Sequence, residues 1–134
     1  CGEYPFGVSD KAINQLYNYF DVNATASGAE GFGMTHLESM AVGVPQIAPD
    51  FSTFPELLGK SGERGLLAEL SCTYRHENGV VYGLVDETSL KNAMCDLYSD
   101  TVLRQRMGQA GIEWAKQFTW DKISESWNEI LRRK

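Results

Sequence analysis

No stretch of this chain stays apolar for the roughly 20 residues that a membrane-spanning helix needs, and no secretory signal stands at its start. Cysteine is scarce: Cys1, Cys72 and Cys95 are odd in number and widely spaced, which is no disulfide framework and fits a reducing, cytoplasmic compartment. The two histidines, His36 and His76, make no metal-ligand pair with each other or with a cysteine at zinc spacing, so no metal site is expected. Basic charge is also in short supply. Twelve Lys and Arg face eighteen Asp and Glu, a net charge of −6, and an acidic domain is poorly suited to sequence-independent nucleic-acid binding. The one basic cluster, Arg132-Arg133-Lys134, suits the last turn of a helix, where cations meet the negative end of the dipole. The chain begins Cys1-Gly2-Glu3 with no starting Met, which suggests a fragment or a processed product.

What is present is an ordinary globular composition, 43% apolar and 22% charged over 134 residues, enough for a single domain with one core. The pattern alternates helix and strand and predicts an α/β fold. Ser9 is placed to cap a first helix whose Ile13, Leu16, Tyr17 and Phe20 share a face. Val22 to Ala26 suits a short strand. A helix over Met34 to Val42 ends at Gly43 and is blocked by Pro45, and Gln46-Ile47-Ala48 makes a second strand. Pro49 to Ser52 forms a loop, and Pro55 starts a short helix that ends at Gly59. Gly65 to Leu70 suits a third strand. Ser71 to Asn78 is polar and irregular, Asn78-Gly79 is a hairpin-type turn, and Val80 to Val85 suits a further strand, so this region is expected to be an insertion near the sheet edge. Three helices close the chain, capped by Asp86, Asp100 and Thr119. Trp114, Trp120 and Trp127 fall on the helices' apolar faces, a register that favours core packing over a sugar-stacking surface.

The chemistry concentrates in Glu30-Gly31-Phe32-Gly33-Met34-Thr35-His36-Leu37-Glu38, where seven residues separate the two glutamates. A strand leads in and a helix leads out, the arrangement that puts ligands at the carboxyl end of a parallel strand. Gly31 and Gly33 carry no Cβ, so backbone can approach a ligand closely or take positive φ. The first amides of the following helix lack intrahelical partners and, with the dipole, suit an anion such as a diphosphate. Glu38 lies about one turn into the helix, roughly 6 Å along its axis. Two carboxylates at that offset can hold two sets of hydroxyls on either side of a phosphate pair, the layout of a nucleotide sugar. Taken alone, the glycine loop is weak, since it lacks the third glycine of a dinucleotide fingerprint. Either glutamate by itself reads as a solvated charge, and His36 as a structural or solvent-facing residue.

Taken together, Glu30 through Pro45 closely resembles the nucleotide-sugar signature of family 4 of the glycosyltransferases, which adopt the GT-B fold. Leu16-Tyr17 through Phe20-Asp21-Val22 resembles the helix and strand ahead of that signature. Phe54-Pro55-Glu56-Leu57-Leu58 resembles the short helix after it, and Phe118-Thr119-Trp120 the aromatic triplet before the last helix. The resemblance spans nearly the whole chain apart from Ser71 to Tyr82. It implies a partial Rossmann-like fold, the later half of a GT-B C-terminal domain, with a parallel sheet and three C-terminal helices. It implies a retaining, metal-independent glycosyl transfer from a nucleoside-diphosphate sugar, with no cofactor beyond that donor. By position, Glu30 would meet the donor sugar's hydroxyls as the catalytic carboxylate, and Glu38 the ribose hydroxyls. The loop from Gly31 through Phe32, with the backbone of Gly33, Met34 and Thr35, would surround the sugar and distal phosphate, and Val8 would lie near the base. Amides aimed at the leaving diphosphate would stabilise its developing charge.

The chain departs from the family in what it lacks. The acceptor-binding domain, the earlier strands of the second domain and the basic pair on the diphosphate are all absent; Lys11 lies in the preceding helix. Weak or no donor binding by this piece alone is therefore expected. An edge strand at Val22 to Ala26 would be exposed, so the chain would self-associate as a homo-oligomer or need a partner carrying the missing half. Two other readings compete: a non-catalytic binding or assembly module derived from that domain, and an unrelated α/β phosphate-binding domain.

Overall fold

Local capping sets half of the α-helix starts. Ser9 Oγ accepts from the Ala12 amide at 3.3 Å and opens α1 (Asp10–Tyr17). Asp86 accepts from Ser89 at 2.7 Å ahead of α4 (Glu87–Ser99), and Asp100 from Leu103 at 2.8 Å ahead of α5 (Thr101–Ala115). The Asp86 and Asp100 bonds satisfy amides that the first helical turn leaves unpaired, while the Ala12 amide also donates to the Ser9 carbonyl oxygen at 2.9 Å. Thr119 precedes α6 (Trp120–Arg132) as expected, yet its side chain makes no capping bond. The computed structural model describes residues 7–133; the sequence expectations on Cys1 and Lys134 lie outside them.

Between α1 and α4 run β1 (Asn23–Ala24), α2 (Met34–Ala41), β2 (Gln46–Pro49), α3 (Phe54–Leu58), β3 (Gly65–Ala68), β4 (Leu70–Arg75) and β5 (Val81–Val85). The fold is α/β. β1, β2 and β3 form a parallel sheet in that order, with Ala24 opposite Ile47 and Ile47 opposite Leu66. β2 is central and buried along its whole length. Because side chains alternate across a strand, Ala48 joins Met40, Phe54, Leu57 and Leu58 in one apolar cluster, while Ile47 joins Ala93, Leu97 and Met107 in another. The cores on the two faces of the sheet thus meet at β2. β1 pairs only with β2, so its other edge is open among the described residues.

Three sequence expectations are corrected. Ser71 to Asn78 is not irregular: β4 takes most of it and pairs antiparallel with β5, Tyr74 opposite Tyr82 with the rings stacked at 5.7 Å. The expected third strand, Gly65 to Leu70, accordingly divides between the parallel sheet and this hairpin; the Asn78-Gly79 turn is where the sequence put it. On α1 only Tyr17 is buried, and Leu16 and Phe20 face out. The tryptophans do not all pack inward. Trp114 is half-buried against the first cluster, but Trp120 is 84% exposed and Trp127 59%. Register selects the apolar side of a helix, but a neighbouring element has to cover it, and α6 buries no residue.

α5 lies close on α2. A Cβ on Gly108 would strike the Gly43 carbonyl oxygen, and one on Gly111 would come within 3.3 Å of Met40 Cβ. Two glycines inside a helix cost propensity, and here they set the helix separation that holds the start of α2 against the rest of the fold.

Candidate functional site

The turn into α2 requires a glycine. Gly33 occupies the position before the helix at φ +86°, and a Cβ there would lie 2.8 Å from Leu57 Cδ1. That left-handed residue is strained for any side chain. The first residues of α2, Met34 and Thr35, are both exposed at this turn, and helix geometry leaves their amides without intrahelical partners. His36 and Leu37 already donate to the Gly33 carbonyl oxygen at 3.0 and 3.1 Å. Gly31 differs from Gly33. Its φ is not positive, and a Cβ built on it meets nothing within 4 Å. Open space therefore lies directly over the loop.

Glu30 and Glu38 are both exposed, one on each side of this helix tip in the chain. Each is held. Glu30 is pinned through its backbone, its N–H donating to Ser52 Oγ at 3.3 Å while Ser52 Oγ donates to its carbonyl oxygen at 2.8 Å. Ser27 Oγ lies 3.2 Å from Glu30 Oε1 and 3.1 Å from the Ala29 carbonyl oxygen, sharing its proton between them. Glu38 accepts at Oε2 from the Tyr17 hydroxyl, 2.8 Å away, across from α1. Phe32 stands edge-on to Phe118 at 5.7 Å, Phe118 packs on Trp114 at 4.5 Å, and the Arg64 guanidinium lies over Trp114 at 4.6 Å. The glycine loop is thus braced from the far end of the chain. The hairpin touches it as well: the Gly83 N–H donates to the Gly28 carbonyl oxygen at 2.9 Å. Val8 is 53% exposed ahead of α1, the helix whose Tyr17 meets Glu38.

His36 is structural. It is buried, and with Nδ1 protonated it donates to Gln46 Oε1 at 2.9 Å. Asn23 Nδ2 donates to the same oxygen at 2.8 Å and to Ser39 Oγ at 3.1 Å. Gln46 Nε2 donates to Ser39 Oγ at 2.9 Å and to the Val44 carbonyl oxygen at 2.6 Å. This buried polar group joins β1, α2 and β2 directly beneath the loop. It is fully satisfied, which is the condition under which such a network specifies structure rather than destabilising it.

Ser27, Ser52, Tyr17 and Phe118 were not singled out as site residues in the sequence. Each reaches the loop through a contact in which residue type carries no signal. Among the described residues, no cluster of three or more His, Cys, Asp or Glu is placed to hold a metal ion, and no helix is long and apolar enough to cross a membrane. A cleft of about 500 Å³ lies away from the loop, between the open side of β1 and α4, lined by Val22, Ala24, Ile47, Met94 and Leu97 among others.

Comparison with known proteins bears on the family and the fold. Residues 3–114 match the family described as Glycosyl transferases group 1. An uncharacterised glycosyltransferase of Methanocaldococcus jannaschii is 32% identical over 96 residues, 72% of this chain and 23% of that protein. Sucrose-phosphate synthase from Thermosynechococcus elongatus superposes with a TM-score of 0.75 at 23% identity, covering 94% of this chain and 28% of that one, which shows a shared fold. The C-terminal domain of a glycosyl transferase group 1 protein from Francisella tularensis superposes with a TM-score of 0.59 at 27% identity, covering 84% and 50%. The chain therefore spans under a quarter, 23%, of its curated relative. With a family match over most of its length and a parallel sheet feeding a glycine loop into a helix, the chain belongs to the glycosyl transferases group 1 family and is a GT-B-type glycosyltransferase domain.

Proposed function

We propose that this chain is the nucleotide-sugar-binding part of a retaining glycosyltransferase, the later half of its C-terminal domain, with residues 71–82 as an insertion. Glu30 meets the hydroxyls of the donor sugar and serves as the catalytic carboxylate. Glu38 takes the ribose hydroxyls. The loop Gly31-Phe32 and the amides of Gly33, Met34 and Thr35 receive the sugar and the diphosphate, and Val8 borders the base. As the glycosyl bond to the diphosphate breaks, charge grows on the leaving group, and preorganised amides stabilise it without a metal. The observation that carries this reading is the exposed start of α2, flanked along the chain by two exposed carboxylates, each already oriented by a hydrogen bond.

The test is thermal stabilisation by a panel of uridine, guanosine and adenosine diphosphate sugars. Binding only to the folded state raises the melting temperature by an amount that grows with the logarithm of one plus ligand concentration over Kd. Stabilisation that disappears in Glu38→Ala supports the reading. The chain alone is expected to be inactive and to respond weakly or not at all, so the panel is also run with the acceptor-binding half supplied. A well-folded protein that then responds to no donor sinks the reading and favours a non-catalytic binding or assembly module, to which the exposed apolar side of α6 also lends weight.

The likeness to a C-terminal domain in Francisella tularensis supports the C-terminal assignment, and the 23% span supports an acceptor-binding half supplied by another segment or chain. The open edge of β1, the apolar cleft beside it and the exposed Trp120 and Trp127 support self-association or a partner. Sedimentation is expected to show a species heavier than the monomer, and a stable folded monomer counts against this. The exposed free thiols of Cys72 and Cys95 support a cytoplasmic setting.

A further inference from the structure

We infer that Tyr17 is a positioning residue for Glu38: its hydroxyl, carried by a buried ring at the end of α1, orients the Glu38 carboxylate so that the remaining lone pairs face a ligand's ribose hydroxyls. The inference rests on the donor-site reading above and names a residue through which that site's selectivity for ribose is set.

The geometry is specific. The hydroxyl donates to Oε2 at 2.8 Å across 21 positions of sequence, and Tyr17 is the only buried side chain on α1. The ring stands edge-on to Phe20 at 6.1 Å, which limits how far it can swing. Burial, followed by the hydrogen bond and the negative charge of Glu38, pushes the phenol up to about 12. It therefore remains a donor at any pH the protein meets and never competes as an anion. A glutamate on an open helix face would otherwise sample several rotamers and lose that freedom on binding. One fixed hydrogen bond removes most of that cost before the ligand arrives. With one lone pair of Oε2 taken, Oε1 and the second pair of Oε2 accept from two neighbouring hydroxyls.

The experiment compares the unaltered chain with Tyr17→Phe, which keeps the ring, and with Glu38→Gln. Affinities are measured for uridine, guanosine and adenosine diphosphates, each beside its 2′-deoxy counterpart. The unaltered chain is expected to prefer the ribose form by about tenfold, the scale of one hydrogen bond to a charged group. Tyr17→Phe should shrink that preference to about twofold, and Glu38→Gln should abolish it. A merely structural role would weaken ribose and deoxyribose forms alike. Three-bond couplings of the Glu38 side chain supply a readout that needs no ligand: one rotamer in the unaltered chain, averaged rotamers in Tyr17→Phe. Full ribose preference or an unchanged Glu38 rotamer in Tyr17→Phe overturns the inference while leaving the donor site standing. The affinities are measured with the acceptor-binding half supplied, and failure of that unaltered protein to bind any of the diphosphates overturns the donor-site reading, and the role of Tyr17 with it.

Discussion

Ser52 holds Glu30 by both of its backbone polar groups, donating to the carbonyl oxygen at 2.8 Å and accepting from the N–H at 3.3 Å. Ser52 is also the one non-glycine residue with positive φ among those described, at +58°, a conformation that costs about 1–2 kcal/mol for a side chain. A strained residue whose hydroxyl grips a loop at the site points to the grip as the reason for the strain. Ser52→Gly relieves the backbone and removes the hydroxyl together. Stability is expected to change by less than about 1 kcal/mol, while the Glu30 amide exchanges with solvent several-fold faster. Hydrogen exchange followed by NMR checks this, and an unchanged Glu30 amide would show the clamp to be idle.

Gly31 and Gly33 separate function from folding. Gly33→Ala puts a side chain at φ +86° against Leu57 and should destabilise the fold by about 2 kcal/mol. Gly31→Ala meets no protein atom within 4 Å, so its melting temperature should stay within a few degrees of the parent. Its new methyl stands in the space assigned to the donor, and nucleotide-sugar affinity should drop about tenfold or more. Calorimetric titration beside a thermal melt measures both effects. Equal donor binding by Gly31→Ala argues for an empty surface above the loop.

Gln46 is the centre of the buried polar group. Gln46→Ala leaves His36 Nδ1, Asn23 Nδ2 and the Val44 carbonyl oxygen short of a partner. Orphaning buried polar groups costs about 1–3 kcal/mol each, so a loss of about 3 kcal/mol is expected in urea unfolding. A loss below 1 kcal/mol would mean that water takes over the network.

Tyr17 gives stability an alkaline limit. Its phenol ionises near 12 in the folded protein against an ordinary 10.0. The stabilisation is fully present below pH 10. Between about 10 and 12 the unfolded chain releases a proton that the folded chain keeps, so stability falls with rising pH across that window. Denaturation at pH 9.5 and 11.5 should show that part of the drop in the parent and lack it in Tyr17→Phe. The same alkaline drop in both would assign it to other groups.

Much of the site's frame was legible in the chain itself, because the information is local. Ser9, Asp86 and Asp100 act on amides three residues away, the Asn78-Gly79 turn closes on its own neighbours, and Glu30 and Glu38 bracket a helix start within nine residues. Spacing along one helix fixes what such residues face. The tertiary structure alone decided the rest. The hydroxyls of Tyr17 and Ser52 reach carboxylate and loop across 21 and 22 positions. Phe118 braces Phe32 from the short turn between α5 and α6, Gly108 admits Gly43, and Trp120 and Trp127 lie uncovered. Each of these depends on which element comes to rest against which. Periodicity and residue type set the apolar side of a helix or the reach of a hydroxyl, and only packing supplies the surface or acceptor that it meets.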